Sequence, residues 1–181
     1  MVQTNITATT PANLLFRGGR LLVNAVDLGA LEGDVTFRVA KEDYWPPLAG
    51  ASGEVTATRY RMKEEAFLEV IMTELQLAGL ARAIAGVDVS SNASSEVMGS
   101  SDDSSDTVGC INSAEYVTIT YTVEQCDGFT TVITMWHCIA DGDFEGVFRD
   151  LGHFSFGVTF KATYDSADPD MRPWAVVHIT A

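Results

Sequence analysis

The strongest constraint on the fold of this sequence is a strict alternation of apolar and other side chains from His153 to Tyr164. Successive side chains of a β-strand point to opposite faces of its sheet, so an alternation with a period of two predicts a strand. One face of this strand would carry Phe154, Phe156, Val158, Phe160, Ala162 and Tyr164. We therefore expect a central strand that lies over the hydrophobic core.

Strand-like segments also occupy much of the first half of the chain. Asp34–Lys41 alternates, and the two consecutive runs Glu54–Met62 and Glu64–Met72 have the same period. Apolar runs between Leu14 and Val26 surround Gly18-Gly19, a pair that can adopt the positive φ angles of a tight hairpin turn. The second run would present one apolar face, formed by Ala66, Leu68, Val70 and Met72.

The second half of the chain predicts a hairpin and a last strand. Glu115–Val123 and Phe129–Ile139 are rich in β-formers and flank Asp127-Gly128, which favours a tight turn between paired strands. Ala175–Thr180 offers a final short strand. Together these segments predict a mainly β, predominantly antiparallel fold with the architecture of a sandwich or barrel.

One segment has the period of a helix instead. Leu77, Leu80, Ala81 and Ile84 recur at helical spacing, Thr73 is a suitable N-cap, and Gly86 is a suitable residue after the C-terminus. We predict one flanking helix, at about residues 74–85.

Two segments are expected to be loops. Glu42–Gly53 contains two prolines, which remove backbone donors, and an aromatic pair, Tyr44-Trp45. This segment could fold onto its own core or act as a docking arm, because aromatic and proline side chains provide contact area at low entropic cost. The serine-rich segment at 90–109 has no periodicity and predicts a mobile loop.

Length and charge limit the functional classes. A chain of 181 residues with 46% hydrophobic residues has the size and composition of one globular domain, here residues 1–181. Its 25 acidic and 11 basic residues give a formal net charge of −14. Such a charge repels phosphate backbones and excludes an ordinary nucleic-acid binder. No apolar run is long enough for a membrane span, and the N-terminus does not resemble a signal peptide.

The residues predict no catalytic, metal or cofactor site. His137, His153 and His178 lie in different predicted strands, without the spacing of metal ligands. The acidic cluster between Asp102 and Asp106 does not have the alternating spacing of a calcium loop. No nucleophile elbow, phosphate-binding loop or dinucleotide fingerprint occurs, so we expect a protein that is not an enzyme.

Three segments, in order along the chain, resemble the major tail protein, or tail tube protein, of long-tailed bacteriophages with non-contractile tails. They are LGALEGDVTFRVAKE (Leu28–Glu42), KEEAFLEVIMTELQLAGLARAI (Lys63–Ile84) and FGVTFKATYDSADPDMRPWAVV (Phe156–Val177). No counterpart in that family matches the serine-rich segment or the Tyr44–Pro47 loop. The resemblance implies a β-sandwich or barrel-like subunit with one flanking helix.

The resemblance also implies an assembly. Subunits of that family form hexameric rings, which stack head to tail into the tube of the virion tail, assembled in the host cytoplasm. Their partners are other copies of the subunit, the tape-measure protein and the tail terminator and baseplate proteins. The DNA genome passes through the tube without specific binding, and no membrane or cofactor is involved.

The charge of the chain agrees with such a conduit. Duplex DNA carries one negative charge per about 1.7 Å of its axis, so an acidic channel wall would let it slide. Screening limits this repulsion to about 8 Å, so only acids that face the bore matter. Glu65 and Glu69 are the candidates for the lumen, although they could instead lie on a solvated outer face. Stacking of rings needs two different surfaces that meet, and the loop Tyr44, Trp45, Pro46 and Pro47 is the candidate for one of them.

Two other interpretations remain open at this stage. A β-sandwich carbohydrate-binding or adhesin module would use exposed aromatic residues such as Trp45 and Trp136 as sugar platforms. A capsid decoration or tail-completion protein would stop at a single ring. Oligomeric state separates these alternatives from a tube.

Overall fold

The computed structural model describes residues 19–46, 59–73, 81, 84, 87–91, 95–100, 115–124, 129–141, 145–147, 155–165, 167–168 and 170–179. These residues form antiparallel β-sheets with almost no helix, which confirms the mainly β prediction. The strands are β1 (Arg20–Val23), β2 (Val26–Asp27), β3 (Thr36–Tyr44), β4 (Tyr60–Met72), β5 (Val87–Ser91), β6 (Glu96–Ser100), β7 (Val117–Glu124), β8 (Thr130–Ala140), β9 (Glu145–Val147), β10 (Ser155–Ala162) and β11 (Trp174–Ile179).

The strand with the clearest alternation is central, as predicted. The main sheet has the order β2-β1-β7-β8-β10-β4-β3, with β9 paired to β10 and β11 paired to β8. One edge of β10 pairs with β4, from Phe156 opposite Met72 to Ala162 opposite Ala66. Its other edge pairs first with β9 and then with the end of β8. The apolar face of β10 is buried from Phe156 to Ala162. Tyr164, predicted on the same face, lies beyond the end of β10 and is 45% exposed, and Phe154 lies outside the described residues.

Both halves of this sheet contribute to one hydrophobic core. Leu21 of β1 and Ile119 of β7 are completely buried, and they belong to the same cluster as Leu68 of β4 and Phe160 of β10. The predicted inner face of β4 is buried in this cluster over its whole length, from Ala66 to Met72. A sheet whose two halves cover one core is consistent with a β-sandwich-like fold.

The predicted pairing of β7 with β8 is confirmed, and the structure contains a further hairpin, between β1 and β2, that was not predicted. The hairpin predicted around Gly18-Gly19 stays a prediction, because residues 1–18 lie outside the described part of the chain. Strands β1 and β2 are joined by Asn24 and Ala25, whose φ angles of 47° and 65° are both positive. Two positive φ angles define the turn that matches the twist of paired strands. Gly19 precedes β1, and the segment before it lies outside the described residues.

Strands β10 and β11 occupy the same edge of β8, one after the other. Ala162 lies opposite Cys138, and Trp174 lies opposite Met135, so β11 continues the line of β10. Between these positions β8 has an extra residue relative to β7, and His137 has a positive φ of 51°. The chain leaves this edge at Thr163, whose N–H and hydroxyl both donate to the His137 carbonyl. A β-bulge therefore marks the point where β10 ends and β11 takes over.

Three predicted boundaries need correction. Strand β3 extends through Tyr44, so the first three residues of the predicted loop at Glu42–Gly53 belong to a ladder. The prolines did not prevent this, because they follow the last paired residue. Strand β4 is one continuous strand where two runs were predicted, and 54–58 lies outside the described residues. In the serine-rich segment, which was predicted to be a mobile loop, Ser90 and Ser91 belong to β5 and Glu96–Ser100 forms β6. The two strands pair with each other, and their backbone hydrogen bonds form despite the polar composition of the segment.

The predicted helix at 74–85 stays a prediction. Among its residues the structure describes only Ala81 and Ile84. Ala81 is buried with helical backbone, and its carbonyl accepts a hydrogen bond from the Ile84 N–H at 3.3 Å. Residues 101–109 of the serine-rich segment also lie outside the described part of the chain, and the assignment of 1–181 to one domain is likewise untested.

Candidate assembly surface

Strands β3 and β4 continue beyond the core as a two-stranded arm. We use "the arm" for Lys41–Pro46 together with Arg59–Glu64. Its last ladder pair joins Tyr44 to Tyr60. Three apolar side chains of the arm are largely exposed: Tyr44 (51%), Tyr60 (61%) and Met62 (66%). Large apolar side chains concentrated on one projecting element are typical of a contact surface.

A charge network holds the arm in shape. Asp43 of β3 accepts hydrogen bonds from Arg59, at 2.7 Å to Nε, and from Arg61, at 3.3 Å. The Arg59 guanidinium also lies 4.9 Å from the ring of Trp45, in cation–π geometry. The hydrogen bond from Arg59, followed by that from Arg61, holds the pKa of Asp43 below its ordinary value despite some desolvation. The ionised carboxylate of Asp43 therefore stabilises the paired conformation of the two strands of the arm.

Glu64 connects the base of the arm to the last strand. Its Oε1 accepts a hydrogen bond from Trp174 Nε1 at 2.8 Å, and its Oε2 accepts one from Arg61 at 2.8 Å. The Lys41 ammonium lies 3.6 Å from Oε2. The Trp174 ring packs edge-on against Phe37, with 5.6 Å between ring centroids. The carboxylate therefore bridges β3, β4 and β11.

The residues predicted for ring stacking lie at the end of this arm. Tyr44 is the last residue of β3, and Trp45 and Pro46 follow it, both half-buried. Pro47 lies outside the described residues. The sequence prediction missed the basic side of this element, because Arg59, Arg61 and Lys63 were not singled out. Their spacing of two along a strand, opposite Asp43 and Glu42, was the available signal.

Glu65 and Glu69, the predicted lumen residues, share the face of β4 that points away from the core, but their surroundings differ. Glu65 is in two ion pairs, with Lys63 at 2.8 Å and with Lys161 of β10 at 2.9 Å. The hydrogen bonds from Lys63 and then Lys161 lower the pKa of Glu65. Glu69 is exposed and has no ion pair with any residue that the structure describes.

The rest of this face mixes both charges. Phe67 lies between Glu65 and Glu69 on β4, with the Arg38 guanidinium 4.3 Å and the Lys161 ammonium 5.7 Å from its ring centroid. Lys161 also approaches Asp141 at 3.8 Å. Glu65 is therefore locally neutralised, and Glu69 is the uncompensated one of the two predicted acids.

A second apolar surface lies on β11. Val176, Val177 and Ile179 are each between 48% and 52% exposed. Consecutive residues such as Val176 and Val177 point to opposite faces of a strand. Both faces of β11 are therefore exposed at these two residues. Sequence reasoning predicted the strand and missed its exposure, although three consecutive apolar residues, Ala175–Val177, exceed what a strand with one buried face needs.

Comparison with known proteins assigns no family. No model of a known protein family matches the chain, and no characterised protein matches its sequence. Within the described ranges no three metal-ligating side chains come together, and none of the helical residues there belongs to a helix with the length and apolarity of a membrane span.

Proposed function

We propose that this chain is the subunit of a phage tail tube, which assembles as hexameric rings stacked head to tail around a bore for the DNA genome. The observation that carries the proposal is the arm, which extends β3 and β4 past the core and exposes Tyr44, Tyr60 and Met62. Two further observations support it: the three ordered segments that resemble tail tube proteins, and the mainly antiparallel β-fold.

The arm suits a stacking contact for a physical reason. Asp43 and Glu64 are paired with basic side chains within the arm, and Lys63 is paired with Glu65. Burial of the apolar side chains therefore leaves these charges with a partner. A contact between the arm and a different surface of the next copy is heterologous. Such a contact forms a closed ring if the rotation between copies closes, and an open-ended assembly if it repeats along an axis, as stacking of rings requires.

The outer face of β4 is the proposed wall of the bore. Because Glu65 is balanced by Lys63 and Lys161, we assign the net negative charge of this wall chiefly to Glu69. One exposed acid from every subunit would form a repeated ring of negative charge along the tube. Such rings repel DNA phosphates weakly at physiological ionic strength, which allows passage without specific binding.

Sedimentation velocity at increasing protein concentration tests this proposal. The unaltered chain should form rings or polymers whose size grows with concentration. Deletion of Tyr44–Pro47 should leave a folded subunit that forms no long tubes, because the core lies below the arm. Val97→Ser is the matched control, since Val97 is 56% exposed on β6, away from the arm. A chain that stays a small closed oligomer at every concentration contradicts the proposal and favours a carbohydrate-binding or single-ring protein.

A further inference from the structure

The main sheet divides above the core into two branches, and no described strand pairs with either of the edges that face each other. Strand β4 pairs with β10 from Ala66 to Met72 only, so the same edge of Tyr60–Glu64 has no ladder partner among the described strands. Strand β11 pairs with β8 on one edge only. Since β11 continues the line of β10, it stands where a partner for Tyr60–Glu64 would be expected, yet the structure shows no ladder between them.

Two bulges explain why the branches separate. Lys63 and Arg61 pair with the consecutive residues Glu42 and Asp43, so Met62 is an extra residue in β4. The second bulge lies in β8 beside His137. A bulge bends its strand and increases the local twist, so bulges on both sides of the division turn the branches apart. The hydrogen bond from Trp174 to Glu64 connects the two branches at the base of the arm.

Both free edges carry exposed apolar side chains. Tyr60 and Met62 line the arm, while Val176, Val177 and Ile179 line β11. An exposed apolar strand edge presents free N–H and C=O groups and readily pairs with another chain. Neither edge contains a proline within the described residues, and β11 has no charged side chain. The arm edge is partly protected, because it carries Arg61, Lys63 and the bulge at Met62, so β11 is the less protected of the two edges.

We infer that these edges join between copies: the edge Tyr60–Glu64 of one subunit pairs with the edge Trp174–Ile179 of the next. The inference rests on the proposed tube and identifies the contact that joins its subunits. The two segments have similar lengths, and each subunit offers one of each. The contact is therefore heterologous and can repeat around a ring or along a tube.

The charges near the two edges favour the same pairing. The side chains of Arg59, Arg61 and Lys63 on the arm are each about half exposed. The connection from β10 to β11 carries three acids, Asp165, Asp168 and Asp170, against one base, Arg172. Copies with a net charge of −14 repel one another, so a contact that places the half-exposed basic side chains of the arm beside this connection reduces that repulsion.

The geometry within one chain predicts the register between chains. Trp174 lies beside Glu64, and β11 runs antiparallel to β4. If the next copy keeps this relation, Val176 of one subunit lies opposite Met62 of its neighbour. Opposite residues in an antiparallel ladder have Cα atoms about 4.5–5.5 Å apart, within the range that a disulfide bridges.

Disulfide trapping between two separately prepared variants tests the pairing. Met62→Cys and Val176→Cys are each made in a Cys110→Ser/Cys126→Ser background, mixed, allowed to assemble and oxidised. We expect crosslinked heterodimers from the mixture and at least tenfold less dimer from either variant alone. The control mixture of Val97→Cys with Val176→Cys should give no crosslink. All of these substituted valine and methionine side chains are exposed, so the core is left intact.

The other outcomes separate this inference from the proposed function. Dimers from Met62→Cys alone would show an arm-to-arm contact and overturn the inference. Tubes that assemble without any crosslink between Met62→Cys and Val176→Cys would overturn the inference and leave the tube proposal standing. A chain that remains monomeric at every concentration would overturn both. As a second readout, Val177→Lys should reduce assembly at least tenfold, whereas Val97→Lys should leave it unchanged.

Discussion

The indole N–H of Trp174 donates to the carboxylate of Glu64 at 2.8 Å. Glu64 lies at the base of the arm and Trp174 is the first residue of β11. The contact spans 110 residues in the chain. It therefore connects the two surfaces to which we assign assembly.

Trp174→Phe removes this donor while keeping an aromatic ring beside Phe37. We expect a loss of about 1–2 kcal/mol in the free energy of unfolding, because the partly buried Glu64 loses one of its hydrogen bonds. Urea denaturation measures the loss. A double-mutant cycle with Glu64→Ala should give a coupling energy of about 1 kcal/mol. Coupling near zero would show that the contact does not stabilise the arm.

Ala25→Gly should stabilise the protein by about 0.5–1 kcal/mol. Ala25 has a positive φ of 65°, which costs an alanine about 1–2 kcal/mol and a glycine almost nothing. Greater freedom of glycine in the unfolded chain offsets part of the gain. Ala40→Gly is the control. Ala40 lies within β3, where glycine is unfavourable, so this variant should be less stable than the unaltered protein. Thermal unfolding distinguishes them, and a destabilised Ala25→Gly variant would contradict the turn geometry.

The ion pairs of Glu65 should make stability depend on pH. Because the folded-state pKa of Glu65 lies below 4.5, its stabilising contribution is fully present above that value. The contribution is lost as pH falls through the folded-state pKa, where the carboxyl becomes protonated. Glu65→Gln should therefore cost about 0.5–1 kcal/mol at pH 7, and the difference should vanish in strong acid. Glu69→Gln removes no described ion pair and should cost less at pH 7. If Glu65→Gln lowered the free energy of unfolding by the same amount at every pH, the ion pairs of Glu65 would not be the cause.

Glu69→Lys should convert a repelling bore into one that retains DNA. With a lysine from each subunit facing the channel, short duplexes added during assembly should remain inside the tubes and resist nuclease at low salt. This retention should decrease steeply as the salt concentration is raised. Binding of DNA by lysines is favoured by the release of counterions from the DNA, and this release contributes less at high salt. Glu69→Gln serves as the uncharged control. Lysine tubes that protect no DNA would place Glu69 outside the bore.

Local periodicity was sufficient to predict the strands that line the core. The alternation in β10 and in Ala66–Met72 depends on one face being buried, and burial selects apolar residues at every second position. The same reasoning placed Tyr60–Met62 of the arm in a strand but assigned Glu42–Tyr44 to a loop. The ladder of the arm is stabilised by ion pairs from Asp43 to Arg59 and Arg61, which are distant in sequence and carry no hydrophobic signal.

Two features of the structure could not be read from local patterns. The division of the sheet depends on bulges at Met62 and beside His137, and a bulge becomes apparent only when both strands of a ladder are known. The turn between β1 and β2 was not predicted, because its two central residues, Asn24 and Ala25, include no glycine to indicate positive φ. Pairing between β1 and β2 imposes positive φ on both residues.

Electron microscopy of the purified, unaltered chain tests the central claim most directly. We expect micrographs of open-ended tubes built from stacked rings, whose end-on averages show six subunits around a continuous bore. Isolated particles, or a single closed ring that does not stack at any concentration, would contradict the assignment of this chain as a tube subunit.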